Sequence, residues 1–116
     1  MSNQSSSEQL SLAQALERLP GPQGERFVVL FEHGSLVVEL YAPRGSDPQK
    51  PHSRDEIYVV AQGSGEFVCG GARRTLAPNE VLFVAANVEH RFENFSDDFA
   101  AWVFFYGPEG GEIDRT

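Results

Sequence analysis

A chain of 116 residues, 41% hydrophobic and 22% charged, has the makings of one folded domain rather than a disordered segment. Its formal charge of −8 and pI near 4.7 oppose phosphate backbones and anionic lipid, so neither nucleic acid nor membrane is an expected partner. Its one cysteine, Cys69, precludes an internal disulfide and reads as a small strand hydrophobe.

The first residues, MSNQSSSEQL, lack the basic start and apolar centre of a signal peptide. The longest apolar block, Phe99 to Tyr106, is strand-sized, and the expected location is the cytoplasm. Residues 1–9 are polar and serine-rich, which predicts a flexible tail. A short helix is expected over about 11–19. Leu12, Ala15, Leu16 and Leu19 make one apolar stripe, Ser11 with Gln14 reads as a capping box, and Pro20-Gly21 ends the helix.

From Arg26 onward the pattern is strand. Runs at Phe27 to Phe31 and Leu36 to Tyr41 are β-branched and aromatic. Four prolines and glycines make Ala42 to Pro51 a shaped loop. Further strands are expected at Asp55 to Gln62, Glu66 to Cys69, Ala72 to Leu76, Val81 to Ala85, Glu89 to Phe95 and Phe99 to Tyr106. Gly70-Gly71 is a hairpin signal between two of them. Many short strands with Gly/Pro turns predict an all-β sandwich or small barrel, one domain over 10–107 followed by a C-terminal tail over 108–116.

The chemistry concentrates in KPHSRDEIYVVAQG, residues 50–63. Side chains alternate faces in an extended chain, so Lys50, His52, Glu56, Tyr58 and Val60 can share one face. An imidazole and a carboxylate there are two of the three ligands a divalent metal needs, and His90 is the obvious third. Asp55 is expected to face outward and His33 to be a solvated turn residue. By the same parity Tyr58 and Phe92 should line a cavity, with Trp102, Phe104 and Tyr106, or their alternates, as another wall.

These residues resemble the cupin superfamily, in particular its small, single-domain conserved barrels. The first cupin motif runs His-x-His, a short spacer, Glu, six residues, Gly. Here His52, Glu56 and Gly63 match, while Lys50 replaces the first histidine. In the second motif a glycine-acid turn, a short strand and a proline-glycine turn precede His and, four residues on, Asn. This chain has Asn79-Glu80, VLFV, Ala85 to Asn87, then His90 and Asn94. Asn79 and Asn87 replace glycines, a tolerable change because asparagine enters the left-handed region more readily than most residues.

The resemblance implies a double-stranded β-helix, or jelly-roll barrel, with a short N-terminal helix. It implies one divalent ion, iron, manganese, nickel, zinc or copper, held by His52, Glu56 and His90. It implies a small-molecule ligand and a reaction such as that of a dioxygenase or isomerase. Gln49 or Lys50 would add a ligand or a substrate contact. Lys50 faces solvent, enters the cavity for an anionic group, or pairs with Glu56 in place of a metal. That last case makes the chain a metal-free, non-catalytic sensor. The leucine-striped helix and open strand edges lead to the expectation of a homodimer.

Overall fold

The computed structural model describes residues 7–113. The tail expected over 1–9 therefore falls largely outside the described residues. Helix α1 spans Leu12–Leu16. Both halves of the expected capping box form, Gln14 N donating to Ser11 Oγ (3.1 Å) and Ser11 N to Gln14 Oε1 (2.8 Å). The helix stops short of the predicted end because its last turn tightens, Arg18 N and Leu19 N bonding three residues back.

Eight strands follow: β1 Phe27–His33, β2 Leu36–Tyr41, β3 Asp55–Gln62, β4 Gly65–Cys69, β5 Ala72–Leu76, β6 Val81–Val84, β7 His90–Glu93 and β8 Ala100–Tyr106. Their bounds lie within two residues of those expected. They form a five-stranded sheet, β1-β2-β8-β3-β6, and a three-stranded sheet, β5-β4-β7. All the pairings are antiparallel. The fold is the expected all-β jelly roll.

Local chemistry decides the turns. Gly70 and Gly71 both take positive φ (58° and 85°), the two-residue hairpin that their sequence predicted. Asn79 (φ 74°) and Asn87 (φ 66°) are left-handed where the motif expects glycine. Gly63 is constrained on two counts. Its φ is +82°, and a Cβ there would meet Phe99 Cα at 2.7 Å.

The core has two parts. Between the sheets lie Tyr58, Val60, Phe67, Leu76, Leu82, Val84, Phe92, Phe99, Ala101 and Val103. Outside the larger sheet, Ala15 of α1 packs on Leu40, Ala42 and Ala100, flanked by Leu12, Leu16, Leu19 and Trp102. The leucine stripe is thus spent on this chain's own sheet.

This second layer decides the parity of β8 in favour of the alternates to Trp102, Phe104 and Tyr106. Trp102 faces α1, and Phe104, paired between Val38 and Ile57, shares that outer face, as does Tyr106 opposite Asp55. Ala101, Val103 and Phe105 point inward instead. The expected C-terminal tail is tied down too. Gly110 N donates to Ser53 O (2.7 Å) and Glu112 N to Asp55 Oδ2 (2.8 Å).

Candidate metal centre

Strand β3 begins at the mouth of the barrel and delivers Glu56, Tyr58 and Val60 to its interior, as alternation requires. Strand β7 brings His90 to the same place from the opposite sheet. His52 arrives from the loop before β3. One donor atom from each of His52, Glu56 and His90 lies within 4.8 Å of the others.

Two hydrogen bonds lock the loop carrying His90 to the segment carrying His52 and Glu56. Asn87 N donates to His52 O (2.6 Å), and Ala86 N donates to Asp55 Oδ1 (2.9 Å). Asp55 keeps the outer parity expected of it, opposite Tyr106, but is not solvated there. It is 5% exposed, and its carboxylate also accepts from Glu112 N. The amides that hold it come from distant segments, so strand parity gave no hint of them.

His90 is buried, its Nδ1 2.8 Å from Val88 O. A carbonyl only accepts, so Nδ1 carries a proton. Nε2 is left to face Glu56 Oε1 at 3.0 Å and Tyr58 Oη at 3.0 Å. With no cation present, a bare Nε2 would meet the carboxylate lone pair to lone pair. A proton shared between His90 Nε2 and Glu56 Oε1, or a cation between them, removes that clash. Burial disfavours charge on His90, but the bonds to Glu56 and Val88 O, with the charges of Glu56 and Asp47, outweigh that and raise its pKa above 6.5.

Glu56 is 1% exposed, and its other oxygen, Oε2, is buried with no hydrogen-bond partner. A buried carboxylate oxygen left unpaired costs about 1–3 kcal/mol or more. A divalent ion answers both features. The imidazole nitrogens of His52 and His90 and the carboxylate of Glu56, with its unpaired oxygen, would hold such an ion between them. The donor set fits a metal.

Gln49 completes the ring of polar atoms. Its Oε1 accepts from Tyr58 Oη (3.0 Å) and lies 3.2 Å from His52 Nε2. Asp47 sets the amide that way round, since its Oδ2 accepts from Gln49 Nε2 (2.7 Å) and from Phe92 N (2.7 Å). Tyr41 donates its hydroxyl to Asp47 Oδ1.

A cavity of about 590 Å³ opens beside these groups, lined by Arg26, Glu39, Tyr41, Gln49, Lys50, His52, Tyr58, Val103 and Phe105 among others. Phe105 meets the His52 ring edge-on at 4.9 Å between centroids. Of the expected lining residues, Tyr58 is present. Phe92 instead lies deeper in the core, 5.0 Å from the Tyr58 ring and 4.9 Å from that of Phe99. Trp102, Phe104 and Tyr106 are absent from the lining because β8 turns its alternates inward. Lys50 is exposed at the mouth and makes no ion pair with Glu56, whose Oε1 faces His90.

Glu39 escaped the sequence reading, although a lone carboxylate in LVVELY was a signal. Burial, then the negative charge of Glu56, raise its pKa from 4.5 to about 7. Tyr41 and Tyr58 are also pushed upward, burial being the largest cause in each.

The Cupin_2 family model, described as a cupin domain, matches residues 37–106. The chain is 38% identical over 85 residues to uncharacterized protein SCO3923 of Streptomyces coelicolor, covering 72% of this chain and 81% of that one. It is 34% identical over 62 residues to the HTH-type transcriptional activator RhaS of Mannheimia succiniciproducens. That match covers 53% of this chain but only 23% of the activator. Among solved structures, protein NMB1881 of Neisseria meningitidis superposes with a TM-score of 0.67 at 18% identity, over 86% of this chain and all of that one. No helix among the described residues is long and apolar enough to cross a membrane.

Proposed function

The chain belongs to the cupin family, and on that premise we propose that it is a metal-binding cupin acting on a small organic molecule held in the 590 Å³ cavity. His52, Glu56 and His90 hold one divalent ion, and Gln49 Oε1 serves as a fourth donor in place of the histidine that Lys50 replaces. The observation that carries this reading is the orphaned Oε2 of Glu56 beside an imidazole whose Nδ1 proton is committed to Val88 O. Bound there, a divalent ion supplies a Lewis acid and, if redox-active, an oxygen-activating centre.

The chain's own groups suit an isomerase or a dioxygenase. Glu39, poised near neutrality, can hand a proton to a bound molecule or take one from it. Asp47 and Tyr41 hold Gln49, while Val103 and Phe105 supply apolar walls that exclude water. Elemental analysis of protein purified without added chelator tests the metal. About one ion per chain is expected, with a lower melting temperature after chelation and recovery on reloading. Protein that is ion-free as isolated, and indifferent to iron, manganese, nickel, zinc and copper, overturns the reading.

The match to part of a transcriptional activator favours a second reading, a ligand sensor without turnover. Saturable ligand binding with no product formed by the metal-loaded protein would select it. Assembly as a homodimer is supported by the outer face of the larger sheet, where Val81 is 65% and Phe83 57% exposed. A monomeric mass in light scattering at micromolar concentration would rule it out.

A further inference from the structure

The rim of the cavity carries Arg26 and Lys50, with Arg44 next to the lining residue Pro43, and none of them has a carboxylate partner among the described residues. Arg26, half-buried, donates from Nε to Ala42 O at 2.8 Å. Arg44 donates from Nη1 to the same oxygen at 3.2 Å and to Pro43 O at 3.1 Å. Two guanidinium groups thus converge on one backbone carbonyl, and burial together with the charge of Arg44 lowers the pKa of Arg26. Lys50 lies on the same rim.

None of the three makes an ion pair among the described residues, in a chain whose net charge is −8. Glu25, also at the rim, is turned away to the preceding turn. Its Oε1 accepts from Gln23 N at 2.9 Å, and its side chain occupies the space that Gly21 leaves open. Arg44 and Lys50 are exposed and Arg26 half-buried, so the like charges gathered here repel through partly hydrated space unless something negative joins them.

The inner end of the cavity has the opposite character, with the carboxyl groups of Glu39, Glu56 and Asp47 in and around it. A ligand spanning it meets cations at the entrance and acceptors inside. We propose that Arg26, assisted by Arg44 and Lys50, forms an oxyanion subsite at the cavity mouth. It takes the carboxylate or phosphate of a small organic acid whose hydroxyl or carbonyl end lies against His52 and Gln49. The planar fork of Arg26, with Nε committed to Ala42 O, leaves its terminal nitrogens for such an anion. The orientation of the acid rests on the ligand reading above, but the anion subsite itself requires no metal.

Chelator-treated full-length protein is titrated by calorimetry with malonate, with inorganic phosphate and with neutral malonamide, at low and at 0.5 M salt. Saturable binding of malonate or phosphate is expected, weakened at high salt, with malonamide inert. Stronger binding of malonate marks a carboxylate ligand, and of phosphate a phosphorylated one. Arg26→Gln should lower affinity at least tenfold, and Lys50→Glu, on an exposed loop, about threefold or more. Should Arg26→Gln fail to fold, Arg26→Lys, which keeps charge but loses the fork, should still cost about threefold. Absence of saturable anion binding, or equal affinity in folded variants, overturns the subsite. Because no ion is present, that outcome leaves the metal site standing, and loss of the metal site leaves this one.

Discussion

Glu39→Gln provides a quantitative test of the cavity's electrostatics. The wild-type carboxyl is raised from 4.5 to about 7, first by burial and then by Glu56. A raised value means the folded state binds the proton more tightly than the unfolded one. Its contribution is fully present below pH 4.5 and is lost as pH rises to about 7. At about 1.36 kcal/mol for each tenfold change in proton affinity, that rise sets a ceiling of about 3.4 kcal/mol. Glu39 also lines an open cavity, so partial hydration reduces the expected gain to about 2 kcal/mol. Glutamine keeps the size and polarity and removes the titration. In urea unfolding of chelator-treated protein, Glu39→Gln should match the wild type at pH 4 and exceed it by about 2 kcal/mol at pH 8. A domain of this size should then melt about 8 °C higher at pH 8. With a divalent ion loaded, the difference should shrink, since the cation offsets Glu56. An equal effect at both pH values, or none, would show that Glu39 is solvated like a surface carboxylate and refute the reasoning.

Three other outcomes follow from single contacts. Glu56→Gln removes the negative charge that helps raise His90 and leaves at most a neutral acceptor, so in chelator-treated protein the imidazole proton resonances should titrate at lower pH than in wild type. An unmoved midpoint would detach His90 from Glu56. The stabilisation that His90 contributes in wild type should be complete below pH 6.5 and fade as pH passes its raised value. Gly63→Ala sets a Cβ 2.7 Å from Phe99 Cα at a φ of +82°, and should cost about 2–3 kcal/mol in urea unfolding. A neutral result would mean that the loop at Ser96 to Phe99 yields.

Much of this protein was legible because local rules act alone in particular places. Alternation in DEIYVVAQ assigned Glu56, Tyr58 and Val60 to the interior, since a half-buried strand has only two faces. Asn79 and Asn87 signalled left-handed turns through their own backbone preferences. The motif spacings named His52, Glu56 and His90, which the fold brings within reach of one ion.

Other features had no local signature. In AAWVFFY both faces are apolar, so alternation cannot choose, and packing of α1 against Trp102 decided which side chains reached the cavity. Asp55 is satisfied by amides 31 and 57 residues away. Glu39 looks like a solvent-facing strand residue until the loop from Pro43 to His52 closes over it to form the cavity. Arg26 and Arg44 meet only because Ala42 offers its carbonyl to both.

The amino-acid order alone settled the strands, the turns and the residue types offered as candidate ligands, because those depend on neighbours in the chain. The tertiary structure alone decided which strand face became cavity, which carboxylate was left unpaired and which cations gathered at the rim. Those depend on what distant segments place beside a residue, and so on its desolvation and its partners.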